Sequence, residues 1–177
     1  MEYTYYYTME YLPTRYAASE SEWNNRYEVW NFKNGSCSSA IINKMAGVIN
    51  SIICGCKSDY VICFIPASTS LKTSLRYTNV ARILTEMTGV SAFLAAIKKV
   101  SDSSAGHISG KSRNPTADFV FDTGCFMGKK VILIDDVITR GRTFRDTAHK
   151  LEINGAVSVT GLFVAKTVNP DINCYVA

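Results

Sequence analysis

Two adjacent carboxylates, Asp135 and Asp136, follow the apolar run Val131-Ile132-Leu133-Ile134, and a polar stretch through Thr143 comes next. Such a pair at the end of a strand can accept hydrogen bonds from two vicinal hydroxyls or stabilise a developing positive charge. Thr139, Arg140, Gly141, Arg142 and Thr143 then lead from a strand into the first turn of a helix. Backbone N–H groups there have no helical partner, and the dipole favours an anion. Thr139 and Thr143 supply hydroxyls, and Gly141 lets the backbone come close. The carboxylates repel a phosphate, so the two halves suit different parts of one ligand: a ribose lying between a phosphate and a reactive centre. The plainer alternative makes Asp136 a turn cap and both arginines solvated. The position between a buried strand and a Thr–Gly–Thr run favours the site.

The elements that must hold these groups are legible around them. Tyr3 to Tyr16 and Arg26 to Lys33 are rich in aromatic and β-branched residues and predict two strands, an antiparallel pair at the N-terminus. Ile41, Ile42, Met45, Val48, Ile49, Ile52 and Ile53 recur at helical spacing after serines suited to capping, which predicts a helix over Ser38 to Ile53. Tyr60 to Ile65 is a continuous apolar run before Pro66, the pattern of a buried strand. Leu75, Val80, Leu84 and Met87 predict a helix closing at Gly89, and Ala92 to Ile97 another buried strand. Phe144, Ala148 and Leu151 mark a helix ending at Gly155, with a strand from Val157 to Ala165. This alternation predicts an α/β fold, a parallel twisted sheet flanked by helices. In such sheets ligands bind beyond the carboxyl ends of the strands, where the aspartates lie.

From Val100 to Asp118 the chain turns to Ser, Gly, Asn and Pro with His107, Lys111 and Arg113. A polar segment of that length is expected to be a flexible functional loop. His149 falls on the helix after the aspartates and is expected at the surface. Tyr3, Tyr5, Tyr6, Tyr7 and Tyr11 read as packing rather than base-stacking residues.

Bulk properties narrow the class. A chain of 177 residues, 47% hydrophobic and 19% charged, with no repeat or low-complexity linker, suits one domain over 1–177. The formal charge of +4 decides little about partners. The acidic, tyrosine-rich N-terminus is unlike a signal peptide, and the longest apolar stretch, Ala40 to Cys56, is broken by Asn43, Lys44 and Asn50. A cytoplasmic protein with no membrane segment is expected, its six cysteines reduced. Cys54-Gly55-Cys56 lacks the second pair or histidine that a zinc site needs. No helix-turn-helix, zinc knuckle or dense basic stripe is present, so a nucleic-acid partner is not expected.

The run Ile132-Leu133-Ile134-Asp135-Asp136-Val137-Ile138-Thr139-Arg140-Gly141-Arg142-Thr143 resembles the phosphoribosyl pyrophosphate signature of the type I phosphoribosyltransferases. Phe32-Lys33-Asn34-Gly35, the strand into Pro66 and the last strand to Ala165 extend the resemblance toward the ComF-like branch. Arg140 and Arg142 depart from the small or hydroxylated residues common at those places in the family. The resemblance implies that Asp135 and Asp136 hold the ribose hydroxyls and Thr139 to Thr143 the ribose phosphate. It also implies that Ala67, Ser68, Thr69 and Ser70, with Lys72 beyond, grip pyrophosphate. Lys98 and Lys99 are further candidates, and the loop with His107, Lys111 and Arg113 would close over the site. The acceptor would sit under a small N-terminal β hood, residues 1 to about 35, completed by the tail from Lys166 to Asp171.

By the same resemblance the protein is a magnesium-dependent glycosyltransferase of nucleotide metabolism. It would pass a phosphoribosyl group to a small base or amine, with magnesium carried by the substrate rather than bound directly, and would form a homodimer as relatives often do. The acceptor is not legible. A regulator that binds phosphoribosyl pyrophosphate or a nucleotide on the same fold, without chemistry, is the alternative.

Overall fold

The computed structural model describes residues 2–100 and 116–169. In chain order its elements are strand β1 (Tyr5–Tyr11), helices α1 (Glu20–Lys33) and α2 (Ser39–Ile52), strand β2 (Tyr60–Phe64) and helix α3 (Ser70–Thr88). The short strands β3 (Ser91–Phe93), β4 (Ile97–Lys99) and β5 (Phe119–Phe121) follow, then β6 (Lys130–Ile138), α4 (Arg142–Ile153) and β7 (Ser158–Thr167). Five strands form one sheet in the order β1-β7-β6-β2-β3, every neighbouring pair parallel, while β4 and β5 make a separate antiparallel ribbon. The fold is α/β, a parallel sheet flanked by helices.

All five residues of β2 are buried, as a strand covered on both faces must be. Alternation divides them: Ile62 and Phe64 pack with α1, α2 and α3, whereas Val61 and Cys63 face α4 and the ribbon. In β6, Ile132 and Ile134 take the first side and Val131 and Leu133 the second. The two halves of the core therefore sit on opposite faces of the same three central strands.

Helix α2 is capped by Ser38 and buries Ile41, Ile42, Met45 and Ile49, as its spacing predicts. Gly89 ends α3 with φ +74°, a left-handed turn that glycine adopts without strain. At Gly161 the reason for glycine is space. A Cβ there would stand 2.7 Å from the Phe144 ring and 2.8 Å from that of Phe163, so only glycine lets α4 lie this close to β7.

Several expectations need correction. Arg26 to Lys33 is not a strand but the second half of α1. Ser19 and Glu22 form a capping box at its start, and Arg26, Val29 and Phe32 recur at helical spacing on its buried side. Its aromatic residues Trp23, Tyr27 and Trp30 stack on one another along the outer side, which is why composition alone suggested a strand. Among the described residues the N-terminal stretch therefore forms no separate β hood: β1 is the edge of the main sheet, parallel to β7. Tyr3 and Tyr5 do pack, edge-on against Phe144, but Tyr6 and Tyr7 are exposed. The Ala92 to Ile97 strand is broken by a helical turn at Leu94–Ala96, after which the chain leaves the main sheet for the ribbon. Finally, β6 runs four residues past Ile134, so the aspartates lie within the strand.

His107, Lys111 and Arg113, and nearly all of the loop expected from Val100 to Asp118, lie outside the described residues, as does the end of the Lys166 to Asp171 tail from residue 170. No helix among the described residues is long and apolar enough to cross a membrane.

Candidate active site

The site begins where β6 loses a neighbour. Phe64 pairs with Ile134, the Ile65 amide donates a last bond to the Ile134 carbonyl at 2.9 Å, and the chain then turns away at Pro66. Beyond that point β6 is paired only with β7, through Asp135↔Phe163 and Val137↔Ala165. The notch left by β2 puts both carboxylates within reach of the start of α3.

Asp136 Oδ2 accepts a 2.6 Å charge-assisted bond from Arg76 Nη1, and Lys33 Nζ stands 4.0 Å from the same oxygen. Asp135 Oδ1 accepts from the Tyr77 hydroxyl at 3.1 Å and from the Asp136 amide at 2.8 Å. Burial, and then the neighbouring Asp136 charge, raise the Asp135 carboxyl to about 7, against the pull of those two hydrogen bonds and of Arg76. Burial and Asp135 together hold the Tyr77 hydroxyl well above its ordinary value, so it remains a donor. Arg76 Nε is buried with no hydrogen-bond partner, a donor that an incoming ligand oxygen can satisfy.

A cavity of about 270 Å³ opens over this pair, bounded by Pro66, Ala67, Ser68, Arg76, Lys99 and Thr143 as well as the aspartates. An adjoining cavity of about 290 Å³, sharing Asp135 and Thr143, is formed by residues 137–144 and Phe163. Its wall is the N-terminus of α4. Gly141 precedes that helix with φ +67° and no side chain caps it, whereas Ser19, Ser38 and Thr69 cap α1, α2 and α3. The first-turn amides of α4 are thus left for an anion. A Cβ on Gly141 would meet an unfavourable φ and would sit 3.1 Å from an Arg145 nitrogen, which would have to shift slightly, and 3.4 Å from Ile138.

The predicted residues divide. Asp135, Asp136, Ala67, Ser68, Lys99 and Thr143 come together around one cavity, and Thr139, Arg140, Gly141, Arg142 and Thr143 line the other. Thr139 shares a 2.9 Å hydroxyl contact with Thr167 of β7. Arg142 leans along α4 toward Asp146 at 3.8 Å, and exposed Arg140 has no acidic partner among the described residues. Part of the loop after β2 is committed to structure: the Thr69 hydroxyl caps α3 by accepting from the Lys72 amide, and Thr73 accepts from the Ala67 amide. Ser70 and Lys98 line a third cavity beside the first, and Lys72 is exposed and lines none of them. His149 is exposed on α4.

Sequence reasoning missed Arg76 and Tyr77. They sit about two turns into α3, in a segment read only for its apolar spacing. An arginine followed by a tyrosine on the inward side of a helix that starts at the site was the available signal.

No family model matches the chain, and no curated protein does. Among solved structures, an allosteric regulatory enzyme of purine biosynthesis is 19% identical over 77% of this chain with a TM-score of 0.47, and the chain spans 30% of that protein's length. A purine phosphoribosyltransferase from Pyrococcus horikoshii is 12% identical, with a TM-score of 0.41, over 75% of this chain and 89% of its own. A hypothetical protein from Neisseria gonorrhoeae with bound ppGpp is 13% identical, with a TM-score of 0.44, over 93% of this chain and 87% of its own. At identities this low, function has to be read from the chain's own residues.

Proposed function

We propose that the chain is a phosphoribosyltransferase that takes phosphoribosyl pyrophosphate as donor and a small base or amine as acceptor. One observation carries the reading: a carboxylate pair and an uncapped helix N-terminus line adjoining cavities that share Asp135 and Thr143. The cup at 139–143 would take the 5-phosphate through the α4 amides, and Asp135 and Asp136 the ribose hydroxyls. Arg76 and Lys99, with Ser68, would face the pyrophosphate. Departure of pyrophosphate leaves positive charge on the sugar ring, which the carboxylates are placed to stabilise. Excluding water from the activated sugar is the role the Val100 to Asp118 loop would play.

The oxygens of Asp135, Asp136 and Ser68 are hard donors that suit magnesium. The described residues hold no cluster of three or more His, Cys, Asp or Glu side chains that could cage a metal. An ion arriving on the pyrophosphate would meet these oxygens and keep part of its water. Bound there, magnesium would neutralise the leaving group. The ComF-like affinity, a cytoplasmic setting, a single domain over 1–177 and a homodimer belong to this same proposal.

A second reading has its own observation. Asp136 is already engaged by Arg76 at 2.6 Å, and a site closed by its own ion pair can bind a phosphoribosyl or nucleotide ligand without turning it over. Calorimetric titration of phosphoribosyl pyrophosphate with magnesium tests what both readings share. Saturable binding that Asp136→Asn weakens at least tenfold is expected. Equal affinity in that variant would remove the site from either reading.

A further inference from the structure

A fourth cavity, of about 460 Å³, adjoins the phosphate cup and is lined from the N-terminal residues and the start of the tail, the segments expected to enclose the acceptor. Tyr11 and Pro13 give it apolar walls, Arg15 and Arg140 two guanidinium groups, and Thr139 and Thr167 a pair of hydroxyls in contact at 2.9 Å. No carboxylate is among the described residues that line it. Arg15 donates to the Tyr16 hydroxyl at 3.1 Å and lies 4.9 Å over that ring, and it has no acidic partner among the described residues. Arg140 has no acidic partner among the described residues.

The walls are held from behind. Arg26, almost wholly buried at 1% exposure, donates to the carbonyls of Leu12, Pro13 and Tyr16 at 2.9, 2.9 and 2.8 Å. That strut fixes the turn carrying Arg15, and the Val168 amide ties the end of β7 to the Tyr11 carbonyl at 3.0 Å. A rigid concave site of several hundred cubic ångströms with flat apolar walls and a few convergent polar groups is the usual form of a small-molecule pocket. Two guanidinium forks select carboxylate or phosphate, which they can bind bidentately.

We propose that this cavity binds a small acidic molecule with a flat apolar body, its acid groups on Arg15 and Arg140; resting on the phosphoribosyl reading above, that molecule is the acceptor. Arg140 and Thr139 also line the phosphate cup, so the two sites share a wall. Isophthalate, a flat ring with two carboxylates, is a direct probe. In nitrogen-15 NMR titrations the wild-type protein is expected to bind it saturably in the millimolar range or tighter, with shifts at Arg15 and Thr167. Arg15→Gln and Arg140→Gln, both at exposed positions, should each weaken it about tenfold. Arg82→Gln, which breaks only a surface pair with Glu86, should leave it unchanged. Absence of saturable shifts, or equal affinity in both variants, would overturn the proposal. So would loss in Arg140→Gln with full retention in Arg15→Gln, since that pattern puts the probe in the phosphate cup. Arg15 lines no part of that cup, so Arg15→Gln should not alter binding of phosphoribosyl pyrophosphate. Failure of that donor to bind at all counts against the reading of the cup and leaves this test intact.

Discussion

Arg76 of α3 holds Asp136 of β6 by a 2.6 Å bond across the notch that β2 leaves in the sheet, with side chains only 12% and 14% exposed. The pair joins helix to strand at the wall of the cavity over the aspartates. It also presets a cation beside the carboxylates, with Nε still unsatisfied. Both roles yield measurable consequences.

Removing one partner leaves a largely buried charge alone. Arg76→Met is expected to lower stability by about 3 kcal/mol, and Asp136→Asn in the same background to restore part of it. Urea denaturation of the two single variants and the double variant reads the coupling directly. Strict additivity would mean that the pair contributes nothing to the fold.

Asp135 gives the protein a pH dependence whose sign is fixed. Its folded-state carboxyl titrates near 7, above the 3.8 of a free aspartate, so between those values the folded protein binds more protons than the unfolded chain. Stability therefore falls as pH rises through that window. Asp135→Asn abolishes the loss. Its melting temperature should exceed that of the wild type at pH 8 and match it more closely at pH 4. Turnover should do the opposite, rising with pH through about 7, because the ionised carboxylate is the form that stabilises positive charge.

Gly161→Ala tests the packing behind the cup. The new Cβ collides with the rings of Phe144 and Phe163, and Phe144 belongs to the first turn of α4. A cost of about 1–3 kcal/mol is expected, with weaker phosphate binding as the helix start shifts. Thermal melting and a phosphate titration check the two effects separately.

Chelation separates a substrate-borne ion from a structural one. Adding EDTA should abolish pyrophosphate release while leaving the melting temperature unchanged. A drop in melting temperature would point to a metal bound by the protein itself.

Much of this was readable from local pattern. The buried run at Tyr60, the cap and spacing of α2 and the Asp135 to Thr143 passage depend on neighbours in sequence, and each lies within a residue or a few of where it was expected. The N-terminus was not readable from composition, because the aromatics of α1 stack on its outer side while Arg26, Val29 and Phe32 set its inward period. The Arg76–Asp136 pair spans 60 positions and depends on α3 docking against the end of β6, which no local pattern encodes. The split of Lys98 and Lys99 from Lys72 is likewise tertiary, fixed by the ribbon that β4 forms with β5.

The most direct measurement is phosphorus NMR of the protein with phosphoribosyl pyrophosphate and magnesium, alone and then with pooled bases and pooled amines. Pyrophosphate that appears only with one pool, and that disappears in Asp136→Asn, is the result expected of a transferase. Donor signals that broaden on binding yet persist unchanged with every pool would contradict it and leave the site as a sensor.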